Sequence, residues 1–510
     1  MKVPFELIME GEEKPKGKYM PPAMRKAIAE GTAPAEGSKF ELFLSSRSAA
    51  SRLKAESDWG RRDGRDDYVD SLTLEEDEEL FKSHCHDAGI NFDRYEEIPV
   101  EVSEPVQGIE RFEDCSLHPT LLANIRQLSY TKPTPVQKYA IPVGFARKDL
   151  MACAQTGSGK TAAYLFPICA KMLKEGPPAT RSRRAHPVAL VLSPTRELAI
   201  QISVEARKLV SRTGIRVVVV YGGADPKLQA RELDRGCDIL VATPGRLLDF
   251  QNRGRLGLAL VKYVVLDEAD RMLDMGFEPQ MRGILESEDM THPHETIMVS
   301  ATFPREIQQL ATQFLREYIF LAVGRVGSTA ESITQELIYV EEDAKKTTLH
   351  DLLQKLSGLV LVFVETKRSA DYLDEFLFRA GYSCTSIHGD RSQPEREAAL
   401  KAFKSGQRPI LVATDVAARG LDIPNVANIV NYDLPNSIDD YVHRIGRTGR
   451  IGKEGRAYSF LNDKNSAVVK DLYSLLCETN QVIPEWFERM FRDTTFHGRR
   501  SRGRGYRGRW

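Results

Sequence analysis

From about Phe112 to Val323 short apolar runs alternate with stretches of helical periodicity. The runs include Val188-Ala-Leu-Val-Leu192, Val217-Val-Val-Val-Tyr221, Asp238-Ile-Leu-Val-Ala242, Tyr263-Val-Val-Leu266 and Thr296-Ile-Met-Val-Ser300. Short β-rich runs separated by helices predict a parallel sheet with right-handed crossovers. The alternation pauses at Gly324-Arg-Val-Gly-Ser-Thr-Ala330, which reads as a linker, and then resumes. Gly358-Leu-Val-Leu-Val-Phe-Val364, Ser383-Cys-Thr-Ser-Ile387, Arg408-Pro-Ile-Leu-Val-Ala413 and Val426-Ala-Asn-Ile-Val-Asn-Tyr432 predict a second α/β domain. Residues 1–105 mix Gly, Pro, Ser and charge runs with few periodic apolar segments, and read as a largely disordered, acidic extension. The expected limits are 106–325 and 335–485 for the two domains, 326–334 for the linker and 486–510 for a tail.

Composition fits this picture. In 510 residues, 42% apolar and 28% charged, there is room for two or three cores. No apolar run reaches the roughly 18 residues that a bilayer-spanning helix needs. The acidic start, without an apolar h-region, argues against a secretory signal. Seven scattered cysteines with no CxxC pair read as thiols in a reducing compartment. His84-Cys85-His86 has no second ligand pair, so a zinc site is disfavoured.

A net charge of −1 carries no hint of a nucleic-acid partner, but its distribution does. Residues 66–104 hold 14 acids against two bases, while the last 14 residues hold six arginines, no acid, and Tyr506 and Trp510. An Arg/Gly tail with aromatics suits loose RNA binding through phosphate contacts and stacking, rather than solubility alone.

The chemistry begins at Ala154-Gln155-Thr156-Gly157-Ser158-Gly159-Lys160-Thr161, between a strand-like and a helix-like run. A strand, a Gly-rich turn and a helix start aim backbone N–H groups at an anion. Lys160 can reach the β/γ-phosphates of a nucleotide, and the Thr161 hydroxyl can ligate Mg²⁺. Ala154 stands where the pattern usually has its first Gly. The partner half-site, Asp267-Glu-Ala-Asp270, follows a buried-strand pattern, and Asp267 is well placed to hold the nucleotide's Mg²⁺. Glu268, next to that carboxylate, reads as the general base or water-positioning group. The second domain has no P-loop, so the nucleotide chemistry must be shared across a cleft.

With these motifs in this order, the chain resembles the DEAD-box ATP-dependent RNA helicases over about residues 80–485. The resemblance implies two tandem RecA-like domains, with ATP and Mg²⁺ as cofactors and RNA as partner. Tyr130-Thr-Lys132-Pro-Thr-Pro-Val-Gln137, with Phe112 upstream, matches the family's adenine-reading segment. Gln137 can offer donor and acceptor to an adenine edge, and Tyr130 can stack on the ring. Arg447 and Arg450, in His443-Arg-Ile-Gly-Arg-Thr-Gly-Arg450, match arginine fingers, and Asp422 matches the acid that binds the ribose. Ser300 and Thr302 match hydroxyls that couple the acids to domain closure; read from the residues alone, they could equally cap the helix beginning near Pro304.

RNA contact is implied for Pro194, Thr195, Arg196 and Glu197, for Gly222 and Gly223, and for Thr243, Pro244 and Arg246 in domain one. In domain two it is implied for Thr366, Gly389, Arg391 and Thr414. Glycines allow close backbone approach, and hydroxyls and arginines donate to phosphate oxygens, so sequence-independent binding is expected. Within the family the chain is most similar to the Ded/Vasa-like subgroup. That similarity rests on Val220-Tyr-Gly-Gly-Ala-Asp225, Asp274-Met-Gly-Phe-Glu-Pro-Gln280, Phe320-Leu-Ala-Val-Gly-Arg-Val-Gly-Ser328 and Gly89-Ile-Asn-Phe-Asp-Arg-Tyr-Glu-Glu-Ile-Pro-Val100. Lys18-Tyr-Met-Pro-Pro-Ala-Met-Arg25 resembles a cap-binding-factor contact, with Met24 in place of Leu. The resemblance therefore implies local RNA unwinding in translation initiation or RNP remodelling, in the cytoplasm, with shuttling to the nucleus or RNP granules, and no membrane partner. An ATP-gated RNA clamp and a DNA helicase are the rival readings.

Overall fold

The structure, a computed structural model, describes residues 98–494 apart from 116, 156, 179–183, 325–332, 416–425 and 450–453, plus the backbone of a last helix ending at Ser501. The chain divides between Glu56 and Ser57 into two units, and all described residues belong to the second.

Eight strands build the first sheet: β1 (Val100–Val102), β2 (Leu150–Ala154), β3 (Ala189–Leu192), β4 (Val217–Val220), β5 (Ile239–Ala242), β6 (Tyr263–Leu266), β7 (Glu295–Ser300) and β8 (Ile319–Val323). Their spatial order is β1-β8-β2-β7-β6-β3-β5-β4, and only β1 is antiparallel. Six strands build the second sheet: β9 (Ile333–Tyr339), β10 (Leu359–Val364), β11 (Cys384–Ile387), β12 (Ile410–Thr414), β13 (Val426–Asn431) and β14 (Gly455–Leu461). The order there is β11-β12-β10-β13-β14-β9, all parallel. These are the two parallel-sheet α/β domains that the apolar runs predict.

Strand geometry explains why the runs lack polar alternation. Successive side chains point to opposite faces, and helices cover both. Leu150, Ala152 and Ala154 enter one apolar cluster of the first sheet, and Met151 and Cys153 the other. Likewise Leu361 and Phe363 face one cluster of the second sheet, and Val360, Val362 and Val364 its opposite.

Three boundaries differ from the expected ones. The first sheet starts at β1, within the stretch assigned to the extension, because Val100 and Val102 extend the sheet edge beside β8. Strand β9 begins at Ile333, inside the expected linker, and pairs with β14 over seven positions. The expected tail opens as a helix, Glu485–Ser501, anchored by Trp486, Phe487, Met490 and Phe491 on the second core. Phe491 stacks on Tyr473 with centroids 4.0 Å apart.

The first sheet's order positions the site. The chain leaves β2 and re-enters at β3, with β7 and β6 between them. Loops leaving the carboxyl ends at such a switch open a crevice.

Candidate active site

Strand β2 delivers the Gly-rich turn, and the helix Lys160–Glu175 follows it. Gly159 caps that helix in the left-handed region, at φ 86°, with no side-chain cap bond. The first-turn N–H groups are therefore available to an anion. A Cβ at Gly159 would lie 2.5 Å from Gln137 Nε2, so only glycine fits. Ala154 in place of the usual glycine has a simple explanation: it is the last residue of β2, buried and paired with Val323, and needs no left-handed backbone. Lys160 Nζ donates to the carbonyls of Ala154 and, at 2.8 Å, of Gln155. Burial lowers the Lys160 pKa, opposed by Asp267, Glu268 and Asp270.

The segment expected to read adenine lies against this turn. The Gln137 amide is fully buried and faces inward: Nε2 donates to Gly159 O (3.1 Å), and Oε1 accepts from Thr134 N (3.0 Å). Thr134 Oγ1 donates to Ser158 O at 2.8 Å. Gln137 and Thr134 thus brace the turn. Tyr130 is half-buried, edge-on to Phe112 and Phe166 at 6.2 and 5.5 Å. Phe112 is buried and supports Tyr130 from within the core, and Lys132 is half-exposed.

The acids leave the neighbouring strands. Asp267 follows β6 and accepts a 2.9 Å hydrogen bond from the Tyr164 hydroxyl, which stands one turn beyond Thr161. Burial, with the Glu268 charge adjacent, raises the Asp267 pKa to about 6. Glu268 sits at φ 49°, a conformation that costs a non-glycine residue roughly 1–2 kcal/mol. Its Oε2 is buried without a hydrogen-bond partner. The Ser158 hydroxyl is also buried and unpartnered, whereas the Ser300 hydroxyl lies beside Asp270 and helps to lower its pKa. Two orphaned polar atoms, one at the turn and one at the acids, are what a site shaped for a bound phosphate and ion would leave. Among the described residues no group of three His, Cys, Asp or Glu side chains could cage a metal. One carboxylate, the Thr161 hydroxyl and nucleotide phosphates suit Mg²⁺, which keeps waters and takes few protein ligands.

Asp270 engages the loop Ser300-Ala-Thr302. Its Oδ2 accepts from Ala301 N (3.2 Å), Thr302 N (3.1 Å) and Thr302 Oγ1 (2.9 Å). Thr302 therefore links the loop after β7 to the acids, while the next helix, Arg305–Phe314, follows Pro304 and has no side-chain cap. Burial alone would raise the Asp270 carboxyl, but His443 and Arg271 hold it well below the usual carboxylate range.

The second domain completes the crevice. Arg447 Nη2 lies 3.9 Å from Glu268 Oε1, and His443 Nε2 lies 3.4 Å from Asp270 Oδ2. Arg444 forks onto Asp415 at the end of β12, 2.5 and 2.6 Å from its oxygens. Thr156, Asp422 and Arg450 lie outside the described residues, as do His84-Cys85-His86, the 18–25 element and the aromatic tail.

The residues expected on RNA lie along the other half of the same sheet edge, after β3, β5 and β4. Pro194 is buried, and Thr195 caps its helix by accepting from Leu198 N. Gly223, at φ 86°, leaves room for Arg196, which a Cβ there would meet at 2.2 Å; Gly222 faces open space. Thr243 and Pro244 start the next helix, and Arg246 is braced by Gln229 (2.9 Å) and Ala224 O (3.3 Å). In the second domain Thr366, Gly389 and Arg391 follow β10 and β11, and Thr414 ends β12 buried. Arg391 is held by Asp371 and Ser386, both at 3.0 Å.

Several contacts were invisible in sequence. Glu197 pairs with Arg396 across the domains at 2.7 Å, and Arg196 reaches Gln393 at 3.4 Å. Tyr164 could have been found from its position three residues after Thr161 on one helix face. The cross-domain partners had no such signal.

The DEAD/DEAH box helicase family model matches residues 134–310, and the helicase conserved C-terminal domain model matches residues 344–452. Among solved structures, the chain is 36% identical to the RNA helicase Prp28 from Chaetomium thermophilum bound to ADP, over 76% of this chain and 94% of that one, with a TM-score of 0.41. It is 28% identical to S. cerevisiae Dbp5 bound to RNA and ADP BeF3, over 76% and 99%, with a TM-score of 0.64. Against Mss116p bound to ssRNA and AMP-PNP the identity is also 28%, over 75% and 80%, with a TM-score of 0.66. No helix among the described residues is long and apolar enough to cross a membrane.

Proposed function

The chain belongs to the DEAD/DEAH box helicases and is an RNA-dependent ATPase of that family; from that premise we propose that it hydrolyses Mg²⁺-bound ATP in a cleft between its two domains and melts short RNA duplexes locally. The observation that carries this reading is the approach of Arg447 and His443, from a domain without a P-loop, to Glu268 and Asp270. It is further supported by the likeness to Dbp5 and Mss116p, whose structures hold RNA and ATP analogues.

In this reading the helix start at Gly159 and Lys160 receives the β/γ-phosphates, and Tyr130 offers its ring to the base. Thr161 and Asp267 hold Mg²⁺, which when bound neutralises charge on the phosphates. Glu268 orients the attacking water and accepts its proton. Arg447, with Arg450, supplies cationic donors to the transferring phosphoryl group. The Thr302–Asp270–His443 chain couples closure to the acids.

RNA binds along the β3, β5 and β4 loops and those after β10, β11 and β12, through backbone contacts without base readout. ATP and RNA each span the cleft, so each favours the other's binding, reciprocally. Opening a few base pairs costs on the order of 5–8 kcal/mol at about 1.4 kcal/mol per step. Two ligands of about micromolar affinity each contribute about 8 kcal/mol. Local melting is within reach; long processive unwinding is not implied. The setting we propose is translation or RNP remodelling in the cytoplasm, with partners docking on the N-terminal extension.

The test is ATP turnover with and without RNA, beside displacement of a short duplex carrying a single-stranded overhang. Turnover should rise with RNA, and the duplex should separate only with ATP. Lys160→Ala should abolish both while the protein keeps its fold; near-normal turnover in that variant would sink the assignment. Slow RNA release after hydrolysis with no strand displacement would favour an ATP-gated clamp. A 2′-deoxy strand that stimulates turnover equally would favour DNA.

A further inference from the structure

Three residues on one helix face of the second domain meet three side chains at and just after the acid loop, in reversed order. The helix Ile438–Ile445 and the turn after it carry Asp440, His443 and Arg447, spaced three and four residues apart, hence on one face. Opposite them stand Arg271, Asp270 and Glu268. Arg447 Nη2 is 3.9 Å from Glu268 Oε1, and His443 Nε2 is 3.4 Å from Asp270 Oδ2. Arg271 Nη1 donates directly to Asp440 Oδ1. Each rung sets opposite charges or donor and acceptor face to face. Only the third is a direct hydrogen bond, and it involves no group with a part in the chemistry.

Arg271 has a second partner. The same Nη1 donates to Asp274 Oδ2 at 2.9 Å, within its own helix, Ala269–Asp274. The Arg271 side chain is only 3% exposed, and a guanidinium that deep needs a counter-charge in every state of the cleft. Asp274, 47% exposed, supplies one when the domains part, and Asp440 joins when they meet. The charge thus keeps a partner within its own helix when the domains part. What closure adds is a charge-assisted bond in fixed geometry, three residues from Glu268 and seven from Arg447.

We propose that Arg271 and Asp440 form a closure latch: positioning residues that set the register in which Arg447 meets Glu268. The latch deepens the shared-cleft reading and rests on it. Its signature is a change in how readily the cleft closes on RNA, with nucleotide binding to the open protein untouched.

The experiment uses the full chain and compares wild type, Asp440→Ala, Asp440→Glu, Arg271→Ala and the double variant Arg271→Ala/Asp440→Ala. Single-stranded RNA is titrated in the presence of AMP-PNP, and the RNA dependence of ATP turnover is measured alongside. Asp440→Ala should weaken analogue-dependent RNA binding about tenfold and raise the half-saturating RNA concentration in the same proportion. Turnover at saturating RNA should fall much less. Affinity for AMP-PNP without RNA should equal wild type, because Asp440 meets Arg271 across the cleft. Asp440→Glu should recover part of the loss. The double variant should bind RNA no more weakly than Arg271→Ala, since the two residues form one contact.

Wild-type RNA affinity in Asp440→Ala overturns the latch. So do losses that multiply in the double variant. Wild-type protein with no analogue-dependent RNA binding would overturn the shared-cleft reading itself, and the latch with it.

Discussion

Two helices begin at the carboxyl ends of buried strands in the two sheets, and they treat their N-termini differently. The helix after β2 is capped by Gly159 in the left-handed region, with no side-chain acceptor. The helix Lys367–Arg379, after β10, is capped by Thr366, whose Oγ1 accepts from Ser369 N at 3.0 Å. One helix leaves its first N–H groups for a ligand; the other satisfies one of them with its own cap. Fold alone does not assign nucleotide binding, since both domains are parallel α/β sheets. The left-handed Gly159 cap with Lys160 folded back on the turn sets the first domain apart. The second domain instead contributes cations, with Arg447 reaching toward Glu268.

The division of labour is broken most directly by separating the domains. Residues 98–324 contain the whole first sheet and both its cores, and should fold. Lacking Arg447, that segment should turn over ATP slower by about 10³–10⁵-fold, without RNA stimulation. Turnover at the level of the whole chain, measured under saturating ATP and RNA, would end the shared-cleft account. Next in size is Glu268→Gln, which keeps volume but removes the basic carboxylate. Turnover should fall about 10²–10⁴-fold, while ATP binding and ATP-dependent RNA binding persist. Loss of ATP binding in a filter or fluorescence titration would show that Glu268 shapes the pocket rather than the reaction.

How far the sequence foretold this contrast depends on what each feature needed. The turn at Gly157 and Gly159, the acids at 267–270 and the apolar runs are local, and local patterns were readable. Ala154 looked irregular only because its place inside β2 is a property of the pairing with β8. Gln137 was assigned to the adenine edge, whereas its amide joins Gly159 to Thr134, a use that depends on segments 22 residues apart. Arg396 with Glu197, and Arg271 with Asp440, are cross-domain pairs that no spacing rule reveals. At the ends composition misled. The acidic run hid three-residue β1, and the Arg/Gly tail drew attention from Trp486, Phe487, Met490 and Phe491, a helical stripe covering the second core.

The first domain's acids are also preassembled by its own backbone, which gives a thermodynamic test. Asp270 accepts from Ala301 N, Thr302 N and Thr302 Oγ1, all within that domain. Asp270→Asn replaces a charged acceptor with a group that also points donors at donors, and should cost about 1.5–3 kcal/mol. The folded pKa of Asp270 lies below its ordinary 3.8, so its contribution is present above about pH 4 and is lost as pH falls further. The melting-temperature gap between wild type and Asp270→Asn should therefore stay constant from pH 7 to 5 and narrow below 4. A gap that widens toward acid would mean that Asp270 is not held ionised.

The smallest effect probes the other cap. Thr366 is exposed, follows β10, and is a residue the family resemblance assigns to RNA, yet its hydroxyl is engaged with Ser369. Thr366→Ala removes cap and hydroxyl together and should destabilise the second domain by about 1 kcal/mol. Thr366→Asn restores a capping oxygen without a hydroxyl, so the two roles separate. Stability should return in Asn, because either side chain can accept from the third N–H of the helix. If Thr366 also donates to RNA, the Asn variant should still bind RNA more weakly than wild type, by an amount typical of one backbone contact. Equal RNA affinity in wild type and Asn, with stability lost only in Ala, would reduce Thr366 to a cap. The second domain's RNA grip would then rest on Gly389, Arg391 and Thr414.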